Sequence, residues 1–318
     1  MSTPLRRVLI HPDPLRLESE LVALIQDRQS AGHGLPDPTL VLAPTRRLVE
    51  RLRRVLAGAF PGLLGVEVLH CQGLVVSVRT RRAPLGAPRP LLEALVRECA
   101  EREATPLAAY LAPRPRAVRR LTGLFGELRE AGLDRLPDAD PDLARLYAAY
   151  QEALAQLQTP LGGWTDRAGL AQHAMAALGP RPGRVIVYGA HELIGSNLAL
   201  VDALRPERGT VFLLPVDADA PGWAHARAFI ANHLRATPEP LPDPGDERPH
   251  LALGRALFSE TAHAAPPQAL RLVHAQGPEA ELTFAARQAL AWVCENPAYT
   301  TASVVAHAPR TSATAVSM

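Results

Sequence analysis

Strand-like and helix-like segments alternate along the first quarter of the chain. The apolar runs "RVLI", "TLVLAP" (39–44) and "VEVLH" (66–70) are typical of strands, and helical periodicity follows the first two, in "LESELVALIQDR" and from Thr45. Strands that alternate with helices predict a parallel sheet with crossover helices. Two further apolar runs, 184–190 and 210–217, predict that the same sheet resumes near residue 180.

The strand signal is lost between these two parts. Apolar residues recur at three- and four-residue spacing in "PLLEALVRECAERE", "RAVRRLTGLFGELREAG" and "DPDLARLYAAYQEALAQLQ", which is the helical period. We therefore predict an α/β core over residues 1–84 and 180–234 that is interrupted by an all-helical domain over 85–179.

The C-terminal part begins with a stretch rich in proline and charge, "RATPEPLPDPGDERPH". This composition is typical of a semi-rigid linker, which we place over residues 235–267. A strand, a helix and a strand are then predicted in "LRLVHA", "GPEAELTFAARQALAWVCEN" and "ASVVAHA". Residues 268–318 are accordingly predicted to be the start of a second α/β domain, truncated where a further helix would be expected.

Composition excludes several chemistries. All 34 basic residues are arginine, so a Walker phosphate lysine, a Schiff-base lysine and a lysine-dependent nuclease site are excluded. The cysteines, Cys71, Cys99 and Cys294, are widely spaced and odd in number, which fits neither a disulfide scaffold nor a CxxC site. The histidines form no metal-ligand pattern, and no apolar run reaches the ~18 residues of a membrane span. We expect a cytoplasmic protein with no cofactor, no metal and no membrane contact.

The first strand, turn and helix, "RRVLIHPDPLRLESEL", occupy the position in which many ATPases hold phosphate. A phosphate loop needs glycines, so that backbone N–H groups converge, and a lysine. Here the turn is His11-Pro12-Asp13, in which the proline removes a donor and the carboxylate repels an anion. We interpret it as a degenerate nucleotide site and expect no ATP binding.

Two basic helices are candidates for nucleic-acid contact. In the first, Thr45 is a predicted N-cap, and Arg47 lies on a flank beside a leucine-rich stripe. The second begins in "RPRAVRRL" with a dense cluster: Arg114, Arg116, Arg119 and Arg120. Each set has two readings, a solvated helix face or contacts with a phosphate backbone. Aromatic residues are only 4% of the chain, so stacking on bases would contribute little.

Taken in order, these segments resemble the N-terminal region of AddB-type proteins, the helicase-like nuclease subunits of bacterial recombination complexes related to superfamily 1 helicases. "LVLAPTRRLVERLRRVL" resembles helicase motif Ia, which implies that Pro44, Thr45 and Arg46 contact single-stranded DNA. "VEVLHCQGL" resembles the next motif, in which His70 is kept and a threonine is lost.

The resemblance also implies a lost ATPase site. "VIVYGAHELIGSNLALVDAL" resembles a degenerate Walker B segment, in which an Asp-Glu pair would stand at Tyr188 and Gly189 to hold Mg²⁺ and the attacking water. "GPEAELTFAARQAL" is similar to the start of the second helicase-like domain, with Glu281 matching. The nuclease domain of the family would lie beyond residue 318.

We therefore expect a P-loop NTPase-like parallel sheet that serves as a catalytically inactive DNA-binding module, with single-stranded DNA or a duplex end and a helicase-nuclease subunit as partners. The predicted DNA contacts are Pro44, Thr45, Arg46, Arg47, His70, Arg114, Arg116, Arg119 and Arg120. Two alternatives stay open. One is a protein-interaction scaffold without DNA contact, and the other is an α/β enzyme that binds a small ligand near Glu192 and Asp217.

Overall fold

A computed structural model describes residues 6–30, 38–78, 83–103, 106–136, 140–159, 162–179, 182–191, 193, 195–217, 223–242 and 278–295. The chain divides into two compact units, Met1–Gly245 and Asp246–Met318. Most of the described residues belong to the first unit, and each unit is considered by itself.

The first unit contains nine strands among its described residues. They are β1 (Arg6–Ile10), β2 (Thr39–Ala43), β3 (Val66–His70), β4 (Leu85–Gly86), β5 (Gln158–Thr159), β6 (Gly162–Thr165), β7 (Arg184–Tyr188), β8 (Thr210–Leu214) and β9 (Pro238–Pro240). Its helices are α1 (Pro14–Ser30), α2 (Arg46–Ala59), α3 (Cys71–Ser77), α4 (Arg89–Glu103), α5 (Pro106–Leu111), α6 (Pro115–Glu130), α7 (Pro141–Gln156), α8 (Arg167–Ala176), α9 (Gly195–Ala203) and α10 (Ala224–Phe229), which a π-helical segment, Ile230–Leu234, extends.

Six strands form one sheet in the order β3-β2-β7-β8-β1-β9, and every pairing in it is parallel. All five residues of β2 and all five of β8 are buried. A strand that is covered on both faces needs apolar side chains on both, which is why these segments read as continuous apolar runs. The predicted α/β fold with a parallel sheet is confirmed.

Helices cover both faces of this sheet. On one face, α1 and α2 contribute Leu17 and Leu52 to a core that includes Leu9 of β1. On the other face, α3, α8, α9 and α10 pack against a second core, which includes Val8 of β1 and Phe212 of β8. Neighbouring residues of β1 thus point into different cores, as the two-residue period of a strand requires.

The connections from β2 and β7 run in opposite directions. These strands are neighbours, with Val41 opposite Ile186. After β2 the chain continues through α2 on the first face to β3, and after β7 it continues through α9 on the other face to β8. Such a divergence is a topological switch point, and it leaves a crevice at the carboxyl ends of the two strands.

The inserted segment has a core of its own. Helices α4 to α7 enclose the ring of Phe125, whose centroid lies 5.1 Å from that of Tyr147 and 5.3 Å from that of Tyr150. The segment is not all-helical, however, because β4, β5 and β6 form a small sheet within residues 85–179. Strands of two to four residues are too short to show a period in the sequence. Helix α8 also departs from the prediction, since Ala171 and Ala174 pack on the main sheet.

The predicted linker begins too early. Residues Pro238–Pro240 form β9, which pairs in parallel with β1 so that Val8 lies opposite Pro238 and Ile10 opposite Pro240. Proline is compatible with an edge strand, where a missing N–H can face away from the ladder. The proline-rich composition therefore led us to miss the sixth strand of the sheet. The rest of the predicted linker, residues 243–267, lies outside the described part of the chain.

In the second unit the structure describes one helix, α11 (Pro278–Glu295). It matches the helix predicted there and includes Glu281. The strands predicted at 270–275 and 302–307 lie outside the described residues.

Two contacts hold the inserted helices against the sheet domain. Arg129 of α6 forms an ion pair with Asp166, whose carboxylate also accepts a hydrogen bond from Gly169 N–H at the start of α8. The two paired side chains are only 13% and 5% exposed. Gly195 opens α9 with φ +54°, and a Cβ there would lie 2.0 Å from the carbonyl oxygen of Glu130. The end of α6 therefore sits directly on the start of α9.

The buried pair gives a test of this attachment. Arg129→Met leaves the buried Asp166 carboxylate without its counterion, so we expect the free energy of unfolding to fall by about 3 kcal/mol. Arg145→Met is the matched control, because Arg145 pairs with Asp142 at the surface, where the loss should be below about 1 kcal/mol. Urea titration followed by circular dichroism measures both variants. Equal losses would contradict the attachment.

Candidate functional site

A cleft of about 840 Å³ opens at the carboxyl ends of β2, β3 and β7. It lies at the switch point between β2 and β7, where ligands of open α/β sheets bind. Its polar lining includes Thr45, Arg46, His70, Glu130, Arg167 and His191. We call this space the sheet-end cleft. Four of the predicted DNA contacts thus line the cleft: Pro44, Thr45 and Arg46 after β2, and His70 at the end of β3.

The end of β2 is set by a helix cap. Thr45 is the N-cap of α2, and its hydroxyl accepts a hydrogen bond from Leu48 N–H at 3.2 Å, as predicted. Arg46 and Arg47 are the first residues of the helix, so their N–H groups precede the first intrahelical bond. The cap therefore fixes Arg46 at the mouth of the cleft. Arg47 is exposed beside it but does not line the cleft.

The end of β3 is set by a second cap. The Nδ1 atom of His70 accepts a hydrogen bond from Gly73 N–H at 3.0 Å, which makes His70 the N-cap of α3. An imidazole nitrogen that accepts a hydrogen bond carries no proton, so the proton of the neutral ring lies on Nε2. The ring therefore presents an N–H donor on its free side.

Arg46 and His70 meet at the mouth of the cleft. The Nε atom of Arg46 lies 3.4 Å from Nε2 of His70. The Nε–H group of Arg46 points at Nε2 of His70, but a neutral ring has only one acceptor nitrogen. Because Nδ1 accepts from Gly73 N–H in the cap, the ring proton lies on Nε2, and both groups are then N–H donors. Burial lowers the pKa of His70, and the guanidinium of Arg46 lowers it further. An oxygen atom that accepts from both donors would satisfy the pair, and an anionic oxygen would do so best.

Further charged groups make the cleft predominantly cationic. Arg167 at the start of α8 and Glu130 at the end of α6 line it together with Arg46. Burial raises the pKa of Glu130, while the nearby Arg167 acts in the opposite direction. Sequence reasoning missed Arg167 and Glu130, because only the folding of the inserted segment brings them to the strand ends.

The cleft contains a thiol that is unsuited to nucleophilic catalysis. Cys71 follows His70 and lines the cleft. Burial raises the pKa of its thiol to about 11. The thiolate is the nucleophilic form of cysteine, and at neutral pH Cys71 is therefore protonated and unreactive. The N–H donors that line the cleft, among them those of Arg46 and Arg167, are of the kind that bind anions.

The turn that we predicted to be a degenerate nucleotide site uses its backbone N–H groups in hydrogen bonds within the protein. Pro12 and Pro14 have no N–H group. The remaining N–H groups from His11 to Leu17 all donate within the protein. His11 donates to Leu214 O, Asp13 to Nδ1 of His11, Leu15 to the carboxylate of Asp13, and both Arg16 and Leu17 to Asp13 O. Among these residues no backbone donor is left for a phosphate.

The end of β7 contacts the same turn. The hydroxyl of Tyr188 donates to Pro14 O at 3.0 Å, and burial raises its pKa, so it stays neutral. Gly189 follows with φ +70°, and a Cβ there would lie 3.1 Å from a methyl group of Leu48. An acidic side chain at residue 189 would require both an unfavourable backbone conformation and a displaced leucine.

The second predicted basic cluster is divided by the fold. Arg114, Arg116 and Arg120 line a groove between α5, α6 and the start of α7. Arg119 points elsewhere and pairs with Glu93 of α4 at 3.3 Å. Three of these four arginines therefore share one surface, because residue 119 lies on another side of the helix.

The remaining predictions concern metals, membranes and the small-ligand alternative. Within the described ranges no group of three or more histidine, cysteine or acidic side chains is arranged to hold a metal ion. No described helix has both the length and the apolarity that crossing a bilayer demands. Asp217 is buried, and Glu192 lies outside the described residues.

Comparison with known proteins gives no family for this chain. No protein-family model matches the chain, and no curated protein matches it significantly.

The cap formed by His70 predicts a pH-dependent stability. Because the pKa of His70 is lowered below its ordinary 6.5 in the folded protein, the unfolded chain takes up the proton first. The contribution of the cap is therefore complete above pH 6.5 and is lost as the pH falls through the folded pKa. His70→Asn keeps an N-cap acceptor that does not titrate, and His70→Ala removes the cap at a cost of about 1 kcal/mol.

Urea titrations of these proteins at about pH 7.5 and about pH 5 measure the effect. The wild-type protein should lose stability relative to His70→Asn on acidification. An identical pH dependence in the two proteins would contradict the lowered pKa of His70.

Proposed function

We propose that this protein is a helicase-like DNA-binding module of the AddB type, without ATPase activity of its own, that holds a single strand by its phosphates in the sheet-end cleft. The observation that carries the proposal is the approach of Arg46 Nε–H to Nε2 of His70, 3.4 Å apart, at a ring whose cap hydrogen bond leaves the proton on Nε2. A phosphate oxygen is an acceptor that matches both donors and carries negative charge.

The position of the donors supports a ligand that runs across the strand ends. Arg46 is supplied by β2 and α2, His70 by β3 and α3, and Arg167 by α8, so three separate segments surround the bound anion. Arg47 is exposed next to Arg46 and extends the positive charge beyond the cleft. A chain of phosphates can use this extension, whereas a single small anion cannot.

The lining of the cleft supports contact with the backbone and not with bases. None of the described residues that line it is phenylalanine, tyrosine or tryptophan. Stacking on aromatic rings supplies much of the affinity in typical single-strand sites. Binding here would depend mainly on charge, with weak sequence preference and strong sensitivity to salt.

The filled turn at His11 to Leu17 supports the absence of a motor function. Its backbone donors are committed to internal acceptors, and the chain has no lysine to reach an outer phosphate. ATP-driven movement and strand cleavage would therefore come from a helicase-nuclease partner. The turn also receives a hydrogen bond from Tyr188. This residue ends β7, which is separated from β1 by β8, and its hydroxyl donates to Pro14 O.

The proposal predicts a specific loss of DNA binding. Arg46→Ala removes one phosphate contact, so we expect weaker binding of a fluorescein-labelled oligothymidylate at low salt. The slope of log Kobs against log salt concentration should become shallower by about 0.7, the value for one contact on a single strand. Fluorescence anisotropy at several salt concentrations measures both quantities.

Arg54→Ala is the matched control, because Arg54 is an exposed arginine of the same helix that does not line the cleft. Its affinity should stay within about twofold of the wild-type value, since an exposed charge at a distance is largely screened. The proposal fails if the wild-type protein, with an intact circular dichroism spectrum, binds no oligothymidylate at low salt. It fails equally if Arg46→Ala and Arg54→Ala have the same effect.

A further inference from the structure

The inserted helices form a second, independent cavity. A groove of about 1190 Å³ lies between α5, α6 and the start of α7. Its floor is apolar and consists of Leu107, Leu111, Leu121, Leu124 and Leu143. Two large apolar side chains are left in water here, since Tyr110 is 52% exposed and Leu124 is 40% exposed. A concave apolar surface of this kind is typical of a site that another molecule covers.

Arginines border the groove along α6. Arg116 and Arg120 are four residues apart and therefore lie on the same edge of the helix. In the part of the chain that the structure describes, neither has an ion-pair partner. Arg114 is committed to the wall, since its guanidinium stacks 4.3 Å from the centre of the Tyr110 ring and donates to Tyr110 O.

The opposite edge is acidic, and both of its carboxylates have partners within the protein. Asp140 is the N-cap of α7, and its carboxylate accepts from the N–H groups of Asp142 and Leu143. Asp142 forms an ion pair with Arg145. The positive charge still available to a ligand is therefore that of Arg116 and Arg120, on one edge only.

We infer that this groove binds an amphipathic helix of a partner protein, whose apolar face covers the leucine floor and whose acidic flank meets Arg116 and Arg120. A helix fits because the walls are helices, whose backbone groups are already paired, so a bound segment must satisfy its own backbone hydrogen bonds. Acidic residues four apart on the partner would face the two arginines.

Nucleic acid fits this groove less well. A phosphate backbone carries charge along its whole length and would meet the carboxylates of Asp140 and Asp142 as well as the arginines. One face of Tyr110, the aromatic residue of the groove, is covered by Arg114. A helix can present an uncharged flank to the acidic edge, which a strand of DNA cannot.

The test uses the full chain and a fluorescein-labelled helical peptide. The peptide has leucines at helical spacing on one face and glutamates four apart along one flank, and a scrambled peptide has the same composition. We expect binding of the patterned peptide by fluorescence anisotropy, at least tenfold weaker binding of the scrambled one, and at least tenfold weaker binding to the double variant Arg116→Glu, Arg120→Glu.

Two controls separate charge recognition from misfolding. Arg97→Glu reverses an exposed arginine of α4 outside the groove and should bind the peptide as the wild-type protein does. A peptide with lysines in place of the glutamates should bind the double variant more tightly than it binds the wild-type protein.

The inference is overturned if the patterned peptide does not bind, if the scrambled peptide binds equally well, or if the lysine peptide shows no preference for the double variant. Loss of oligothymidylate binding in the double variant without peptide binding to the wild-type protein would assign the groove to DNA. These outcomes are independent of Arg46 and His70, so they do not decide the function of the sheet-end cleft.

Discussion

The parallel pairing of β2 with β7 is the constraint on which the rest of this structure depends. It places two strands side by side whose following helices cover opposite faces of the sheet, and the space between those helices becomes the sheet-end cleft. The pairing also brings Gly189 close to Leu48 at the strand ends. Without it, Arg46 and the β7 end would belong to separate surfaces.

Helix caps convert this frame into a binding site. Thr45 lies just after strand β2, and His70 ends strand β3. Each precedes a helix and uses a side-chain acceptor to satisfy a backbone N–H. The cap at His70 also fixes the tautomer of the ring, because the nitrogen that accepts from Gly73 cannot hold the proton. A structural hydrogen bond therefore determines which donor the cleft receives. At the turn after β1, side-chain acceptors have the opposite effect. Nδ1 of His11 and the carboxylate of Asp13 accept from backbone N–H groups that a nucleotide would otherwise need.

The sequence predicted the sheet well, because buried parallel strands are continuous apolar runs and α2 has a clear cap and stripe. The prediction was wrong where a strand is very short or has an atypical composition. Strands β4 to β6 have four residues or fewer, and β9 contains two prolines that an edge strand tolerates. In the site, Thr45, Arg46 and His70 could be predicted from position after a strand. Arg167 and Glu130 could not, because they reach the cleft only through the docking of α6 and α8 on the sheet, which rests on the Arg129–Asp166 pair and on Gly195.

The central claim is that Arg46 and His70 present two N–H donors to one phosphate oxygen, and nuclear magnetic resonance of the nitrogen-15-labelled protein tests it most directly. In the free protein the His70 ring should be protonated at Nε2 and not at Nδ1. Addition of oligothymidylate should shift the resonances of His70 Nε2 and Arg46 Nε with the same midpoint as the binding curve. A ring protonated at Nδ1, or DNA binding that leaves both resonances unmoved, would contradict it.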